Sequence, residues 1–230
     1  EVFRQGFDEY IRTNDGHAVT CDAFLEAMSK ASGRDLSQFR RWYSQAGTPR
    51  VVVRSRWDEE NHRLTLLVDQ STPARPGLPT KLPLFIPFPV AFLSPSGEEM
   101  PVQLASEDEA PLPGTRMFEL TQEHTELVFG GLAVKPAVSL NRGFAAPVIL
   151  DQGLSDEELA FLARHETDPF NRWDAMNRLL INAVHTQTRA KLLRTPEEVS
   201  PLVITAALEV LKNPDLSPAF KAAALSLPSE

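Results

Sequence analysis

Cysteine is nearly absent from these 230 residues, and Cys21 stands alone. That excludes an internal disulfide and a thiolate zinc cluster, and it fits a reducing, cytoplasmic setting. No apolar run approaches the roughly 20 residues of a membrane span, and no signal-peptide pattern opens the chain. Basic residues are outnumbered, 23 Lys and Arg against 31 Asp and Glu, for a net charge of −8. Such a chain has no electrostatic footprint for nucleic acid. Histidine occurs five times, at His17, His62, His124, His165 and His185. None of these forms the helical zinc pair, two histidines four residues apart with a glutamate between. His165-Glu166 begins such a motif, but Thr167-Asp168-Pro169 ends the helix first. His165 therefore reads as a partly buried residue at a helix C-terminus, where it suits the dipole. A Gly-rich phosphate loop is also missing; Gly130-Gly131 is an isolated pair at a strand end. Glu107-Asp108-Glu109 lacks the alternating oxygen ligands of a calcium loop and reads as a solvated acidic turn. Cys21 opens a helix, where a thiolate is stabilised, but the sequence sets no histidine beside it.

What is abundant is proline, 19 residues concentrated in the middle of the chain, against an ordinary 42% hydrophobic and 23% charged content. The period of the hydrophobic pattern divides the chain in three. Val2, Phe3, Phe7, Tyr10 and Ile11 share one helical face, closed by Asn14-Asp15-Gly16. Thr20 is placed as the N-cap of a second helix, with Phe24, Leu25 and Met28 inside and Gly33 as its stop. A third helix is expected from Asp35, with Gln38 completing a capping box. Leu36, Phe39, Trp42 and Tyr43 form its apolar face, Gly47 its left-handed stop, and Pro49 a block to continuation. The first residue is Glu1 and the amphipathic pattern starts at once, so a piece of a longer or processed protein is expected.

From Arg50 the period becomes two. Val51 to Asp69 reads as a hairpin around a turn at residues 57–63. Prolines make residues 71–83 a loop. Leu84, Ile86, Phe88, Val90 and Phe92 alternate, and Pro87 and Pro89 on the other face assign that strand to an edge or a bulge. Short strands follow near residues 100–104, 117–121, 126–129, 137–141 and 147–150. About eight strands with frequent turns indicate an antiparallel Ig-like β-sandwich.

Helical spacing then returns. Ser155 with Glu158 is a capping box, and Asp168-Pro169 starts a long helix lined by Phe170, Trp173, Met176, Leu180, Ala183 and Val184. Ser200-Pro201 opens a helix containing Val203, Ala206, Ala207, Val210 and Leu211. Ser217-Pro218 opens the last, closed by Pro228. Short links between antiparallel helices indicate the start of a bundle or solenoid. The fold class is thus multidomain: a helical segment at 1–48, a β-sandwich at 49–151 and a helical domain from 152 to 230. Arg172 and Trp173, like Arg40, Arg41 and Trp42, lie near a change of period. They read either as core packing with solvated arginines or as domain interfaces.

The segment Asp35-Leu36-Ser37-Gln38-Phe39-Arg40-Arg41-Trp42-Tyr43-Ser44-Gln45-Ala46-Gly47-Thr48-Pro49 resembles the end of the catalytic domain in the bacterial aminopeptidase N family, zinc metallopeptidases of the gluzincin type. The resemblance extends to Asn14-Asp15-Gly16, Thr20-Cys21-Asp22-Ala23-Phe24, Arg142-Gly143-Phe144-Ala145-Ala146-Pro147-Val148, and the run from Arg164-His165-Glu166 to Trp173-Asp174-Ala175. It implies the last helices of a catalytic domain, then a β-sandwich, then a helical domain that closes an active-site chamber. It also implies zinc and a peptide substrate for the parent enzyme, with every zinc ligand and catalytic residue upstream of Glu1. On that reading this stretch carries no catalytic, metal or cofactor residue. It is a scaffold whose partner is the remainder of the parent chain, with Phe39, Trp42, Tyr43, Gly47, Pro49, Arg172 and Trp173 at its junctions. Exposed ends are expected to self-associate. The alternative is a non-catalytic β-sandwich interaction or adaptor module. No nucleic acid or membrane partner is expected.

Overall fold

The computed structural model describes residues 1–77, 80–108, 114–195 and 198–227. Glu109 of the acidic turn, Pro79 of the proline-rich loop and Pro228 lie outside the described residues.

Helices α1 (Val2–Asn14) and α2 (Cys21–Ser32) form an antiparallel pair. They cross closely at Gly6, where a Cβ would sit 2.6 Å from Met28 Sδ. Tyr10 meets Phe24 edge to face at 5.4 Å. Gly33 ends α2 in the left-handed conformation, whereas the Thr20 side chain makes no cap hydrogen bond.

The expected third helix is reduced to one turn, α3 (Arg41–Ser44). Asp35 does not cap it. Its carboxylate instead accepts the Ser37 backbone N–H and hydroxyl, which tightens a local turn. The bonds Arg41 N to Gln38 O, Trp42 N to Phe39 O and Tyr43 N to Arg40 O span only three residues, so the chain is wound tighter than an α-helix. Gly47 is not the helix stop either: Gln45, in extended geometry, ends α3. Gly47 (φ +117°) bends the chain two residues later, against Thr72 and Pro73.

Two sheets follow. The first runs β6 (His124–Phe129), β2 (Arg63–Ser71), β1 (Arg50–Asp58), β8 (Ile149–Asp151). The pair β1–β8 is parallel, so the sandwich is antiparallel everywhere except at that short crossing. The second sheet is organised on β3 (Ile86–Leu93). It pairs with β5 (Arg116–Leu120) and β4 (Glu99–Met100) on one side and β7 (Ala137–Leu140) on the other. β3 is central from Val90 onward, while at Pro87 and Pro89 it is paired on one side only, in keeping with the edge or bulge its prolines suggested. The prolines are tolerated because β7 pairs only from Val90 onward. At Pro87 and Pro89 the ladder runs on the β5 side alone, so the missing N–H groups face an edge without a strand among the described residues.

The alternation buries Val51, Val53, Leu64, Leu66 and Val68 against Ile86, Phe88, Val90 and Phe92. Phe129 meets Phe92 and Phe118 edge to face at 4.8 and 5.6 Å. Helices α4 (Asp156–His165), α5 (Pro169–Leu193), α6 (Pro201–Lys212) and α7 (Pro218–Leu225) share a second core around Leu159, Met176, Leu179, Ala206 and Val210. Leu93, from the end of β3, is buried in that helical core. The Ser155–Glu158 capping box and the Asp168, Ser200 and Ser217 caps all form. Val184 and Leu211, expected inside, are exposed.

Candidate functional site

Two joints hold the sandwich, one at each end, and the first is built from residues that the sequence singled out. The first joins the helical N-terminal segment to the chain entering β3. Residues 82–85 precede that strand and carry carbonyls that no ladder consumes. The tight turn 37–45 supplies the donors. Gln38 Nε2 donates to Pro83 O and Thr121 O at 3.2 and 2.7 Å, and Arg41 Nη1 to Pro83 O at 2.5 Å. Trp42 Nε1 donates to Phe85 O at 2.7 Å. Gln45 both donates to Leu82 O and accepts from Leu82 N. Phe39 packs edge-on to Phe85 at 6.3 Å. Pro49 is buried, and its carbonyl accepts from Ile149 N, which continues the β1–β8 pairing. Tyr43 points outward and is exposed.

The second joint is ionic and was not singled out as a site by sequence reasoning. Arg142 lies in a 3₁₀ turn (Arg142–Phe144) after β7, between Asn141 and Gly143, both left-handed. This conformation carries the guanidinium inward, and Arg142 is only 8% exposed. Its Nη1 donates to Glu99 Oε1 at 2.9 Å and to Thr115 Oγ1 at 2.5 Å. Its Nη2 donates to Glu166 Oε1 at 2.6 Å and contacts the Thr167 hydroxyl. Glu166 is fully buried at the corner between α4 and α5, and its Oε1 also accepts from Thr167 N and Asp168 N. Asp168 in turn accepts from Gly143 N while capping α5 through Asn171 N. Asn171 Nδ2 donates to Ser139 Oγ and Leu140 O on β7. One guanidinium thus ties β4, the β7 turn and the α4–α5 corner.

The electrostatics follow from that placement. Burial pushes the Arg142 pKa down, but Glu166 and Glu99 push it further up, and the net shift is upward. Glu99 is held below its ordinary value, first by the Thr167 hydroxyl and then by Arg142, against some burial. Arg172 is half-buried, with its Nε enclosed and without a hydrogen-bond partner, as are Glu166 Oε2 and Arg142 Nε. Burial lowers the Arg172 pKa, with Glu166 and Asp215 opposing. Trp173 packs on the helical core, beside Phe170 at 5.7 Å. His165 is the last residue of α4 and packs on Phe161. It covers the β3–β4 turn at Gly97 and is held below its ordinary pKa, first by burial and then by Arg164.

The remaining sequence candidates do not converge. Cys21 is exposed at the start of α2. His124 binds Asp69 at 2.6 Å on the open face of the first sheet. Glu107 is engaged by Arg116. Among the described residues no group of three or more His, Cys, Asp or Glu is placed to hold a metal ion. A zinc ion therefore fits no donor set of the described residues. No described helix is long and apolar enough to cross a membrane.

An Ig-like sandwich locked onto a helical repeat domain defines the class. Residues 47–153 match the family DUF3458, a domain of unknown function with an Ig-like fold, and residues 156–230 match DUF3458_C, described as ARM repeats. The chain is 37% identical over 229 residues to aminopeptidase N of Escherichia coli (strain K12), covering 100% of this chain and 26% of that protein. It is 34% identical over 232 residues to aminopeptidase N of Haemophilus influenzae, covering 99% and 26%. The Caulobacter vibrioides aminopeptidase N is 36% identical over 230 residues, covering 100% and 25%. The crystal structure of Legionella pneumophila aminopeptidase A in complex with aspartic acid superposes with a TM-score of 0.79 at 24% identity, over 99% of this chain and 25% of that one, and shows the same fold. The chain is similar along its whole length to these aminopeptidases N, and it spans about a quarter of the length of the curated relatives it matches.

Proposed function

We propose that this chain is the bracing, non-catalytic part of a zinc aminopeptidase that removes N-terminal residues from peptides. The observation that carries the reading is the pair of joints. The sandwich is fastened at one end by a row of side-chain bonds to the carbonyls of residues 82–85. At the other it is fastened by the Arg142 cluster. A domain fixed at both ends sets the angle between its two flanking helical segments, with little slack at Gly47-Thr48-Pro49. Zinc, its ligands and the peptide site belong, on this reading, to the rest of the aminopeptidase polypeptide, in the cytoplasm.

The rest of the polypeptide is also the partner for the uncovered apolar face of α1, where Phe3 is 67% exposed beside Phe7 and Ile11. The test is direct. The purified 230-residue chain is expected to hold no stoichiometric zinc and to leave an aminoacyl-anilide uncleaved. Close to one zinc per chain with chelator-sensitive turnover would overturn the proposal.

A further inference from the structure

A second feature lies where the sandwich meets the helices, beside the ionic joint, with which it shares Asn171. A cavity of about 170 Å³ opens between β7–β8 and the first half of α5. That is room for a small molecule; an apolar cavity of ~150 Å³ accommodates one benzene. Leu140, Val148 and Leu159 form an apolar floor. The α5 wall presents Asn171, Asp174 and Arg178, spaced to share one helical face.

Asp174 and Arg178 face each other at 3.7 Å, longer than a hydrogen bond, with side chains 43% and 29% exposed. Burial nevertheless pushes the Asp174 carboxyl above its ordinary value, with Arg178 only partly opposing. The two charges are each other's counter-ion, in a pair long enough for a ligand's charges to insert between them. The mouth is formed by Phe144, whose ring is 49% exposed and lies 4.9 Å from Phe170. Its φ of +50° is one a bulky side chain rarely adopts. Such strain persists where surrounding bonds impose it, and it clusters at ligand clamps. Here the bond from Gly143 N to Asp168 Oδ2 imposes it.

We propose that this cavity binds a small zwitterion, an α-amino acid with a compact apolar side chain. Its ammonium inserts at the Asp174 carboxylate, its carboxylate takes the Arg178 guanidinium in a forked pair, and its side chain rests on Leu140, Val148 and Leu159. Charge balance selects the zwitterion. An amine alone would draw Asp174 away and leave Arg178 without its counter-ion, and a carboxylate alone would do the reverse. The inference does not rest on the aminopeptidase reading and stands or falls separately.

The experiment is a titration of the 230-residue chain with L-valine, monitored by backbone amide shifts. Saturable binding with a Kd of about 1 mM or tighter is expected, with shifts confined to residues 139–144 and the first half of α5. Asp174→Asn and Arg178→Met should each weaken it at least about tenfold. Both side chains are partly exposed, so the variants should keep the parent spectrum elsewhere; if one does not fold, the other carries the test. Isobutylamine and isovalerate, which each keep one charge, should bind at least about tenfold more weakly than valine. Absence of saturation, shifts centred elsewhere, equal binding of isobutylamine, or undiminished affinity in the folded variants would overturn the proposal.

Discussion

Replacing Arg142 with methionine tests the ionic joint. The substitution keeps the side chain's length and removes its charge. Glu166, fully buried, loses the Nη2 donor at 2.6 Å, and Glu99 loses Nη1 at 2.9 Å. Breaking a buried pair from one side costs about 3–5 kcal/mol, because the remaining charge is uncompensated. Two backbone donors, Thr167 N and Asp168 N, still serve Glu166 Oε1 at 2.7 and 2.9 Å. They bring the expected loss to the lower end, about 3 kcal/mol. Adding Glu166→Gln removes the stranded charge and keeps an acceptor for both donors. The double variant should therefore recover about 1–2 kcal/mol of that loss, a coupling within the range for groups in one network. Urea unfolding monitored by tryptophan fluorescence reads this, since Trp57 reports on the sandwich core and Trp173 on the helical core. Amide exchange should show protection falling together at β4, the β7 turn and the α4–α5 corner. A loss under about 1 kcal/mol for Arg142→Met, or no recovery in the double variant, would refute the claim that this cluster fastens the joint.

The same geometry sets three further outcomes. Gly97→Ala should destabilise by about 1–3 kcal/mol, because its φ is +89° and the new Cβ would lie 2.7 Å from His165 Cγ; thermal melting reads this, and an unchanged melt would remove the close packing. The Glu107 carboxyl should titrate at about 2, lowered chiefly by its hydrogen bond to Arg116, and carbon-detected NMR should see it rise toward its ordinary 4.5 in Arg116→Met. Because its folded pKa is depressed, this group supports the fold above pH 4.5 and loses that support as pH falls toward 2. His165 has the same sign: with its pKa lowered first by burial, it favours the fold above its ordinary 6.5 and opposes it as pH falls below. His165→Gln should flatten the stability profile as pH falls below 6.5, and a profile identical to the parent's would contradict this.

The changes of period at Arg50 and after Leu150 were legible because they rest on local patterning, and so were the Ser155, Asp168, Ser200 and Ser217 caps, whose partners lie two or three residues away. Asp35 and Gln38 carry the same letters as a capping box, yet tertiary contacts won. The carbonyls of Pro83 and Thr121 take the Gln38 amide, and a tight turn takes the Asp35 carboxylate. Pro87 and Pro89 marked the one-sided part of β3, but that β7 pairs with the rest and makes the strand central is not written near β3. The Arg142 joint stayed hidden because its partners Glu99 and Glu166 lie 43 and 24 residues away. The signal available was an arginine with glycine directly after it, within the segment resembling the aminopeptidases. Asp174 and Arg178 carried no signal in the sequence, because the β7 and β8 residues that line the cavity with them lie far away along the chain.

The central claim is the proposed one, that the sandwich works as a rigid bracket within an aminopeptidase, and the polypeptide that this reading implies offers the most direct test. Inserting three glycines between Gly47 and Thr48 lengthens the link at the first joint without touching either domain. Aminoacyl-anilide turnover and zinc content are then measured on the same preparation. The account predicts a clear fall in kcat with zinc per chain unchanged. Unaltered kinetics in the insertion variant would contradict it.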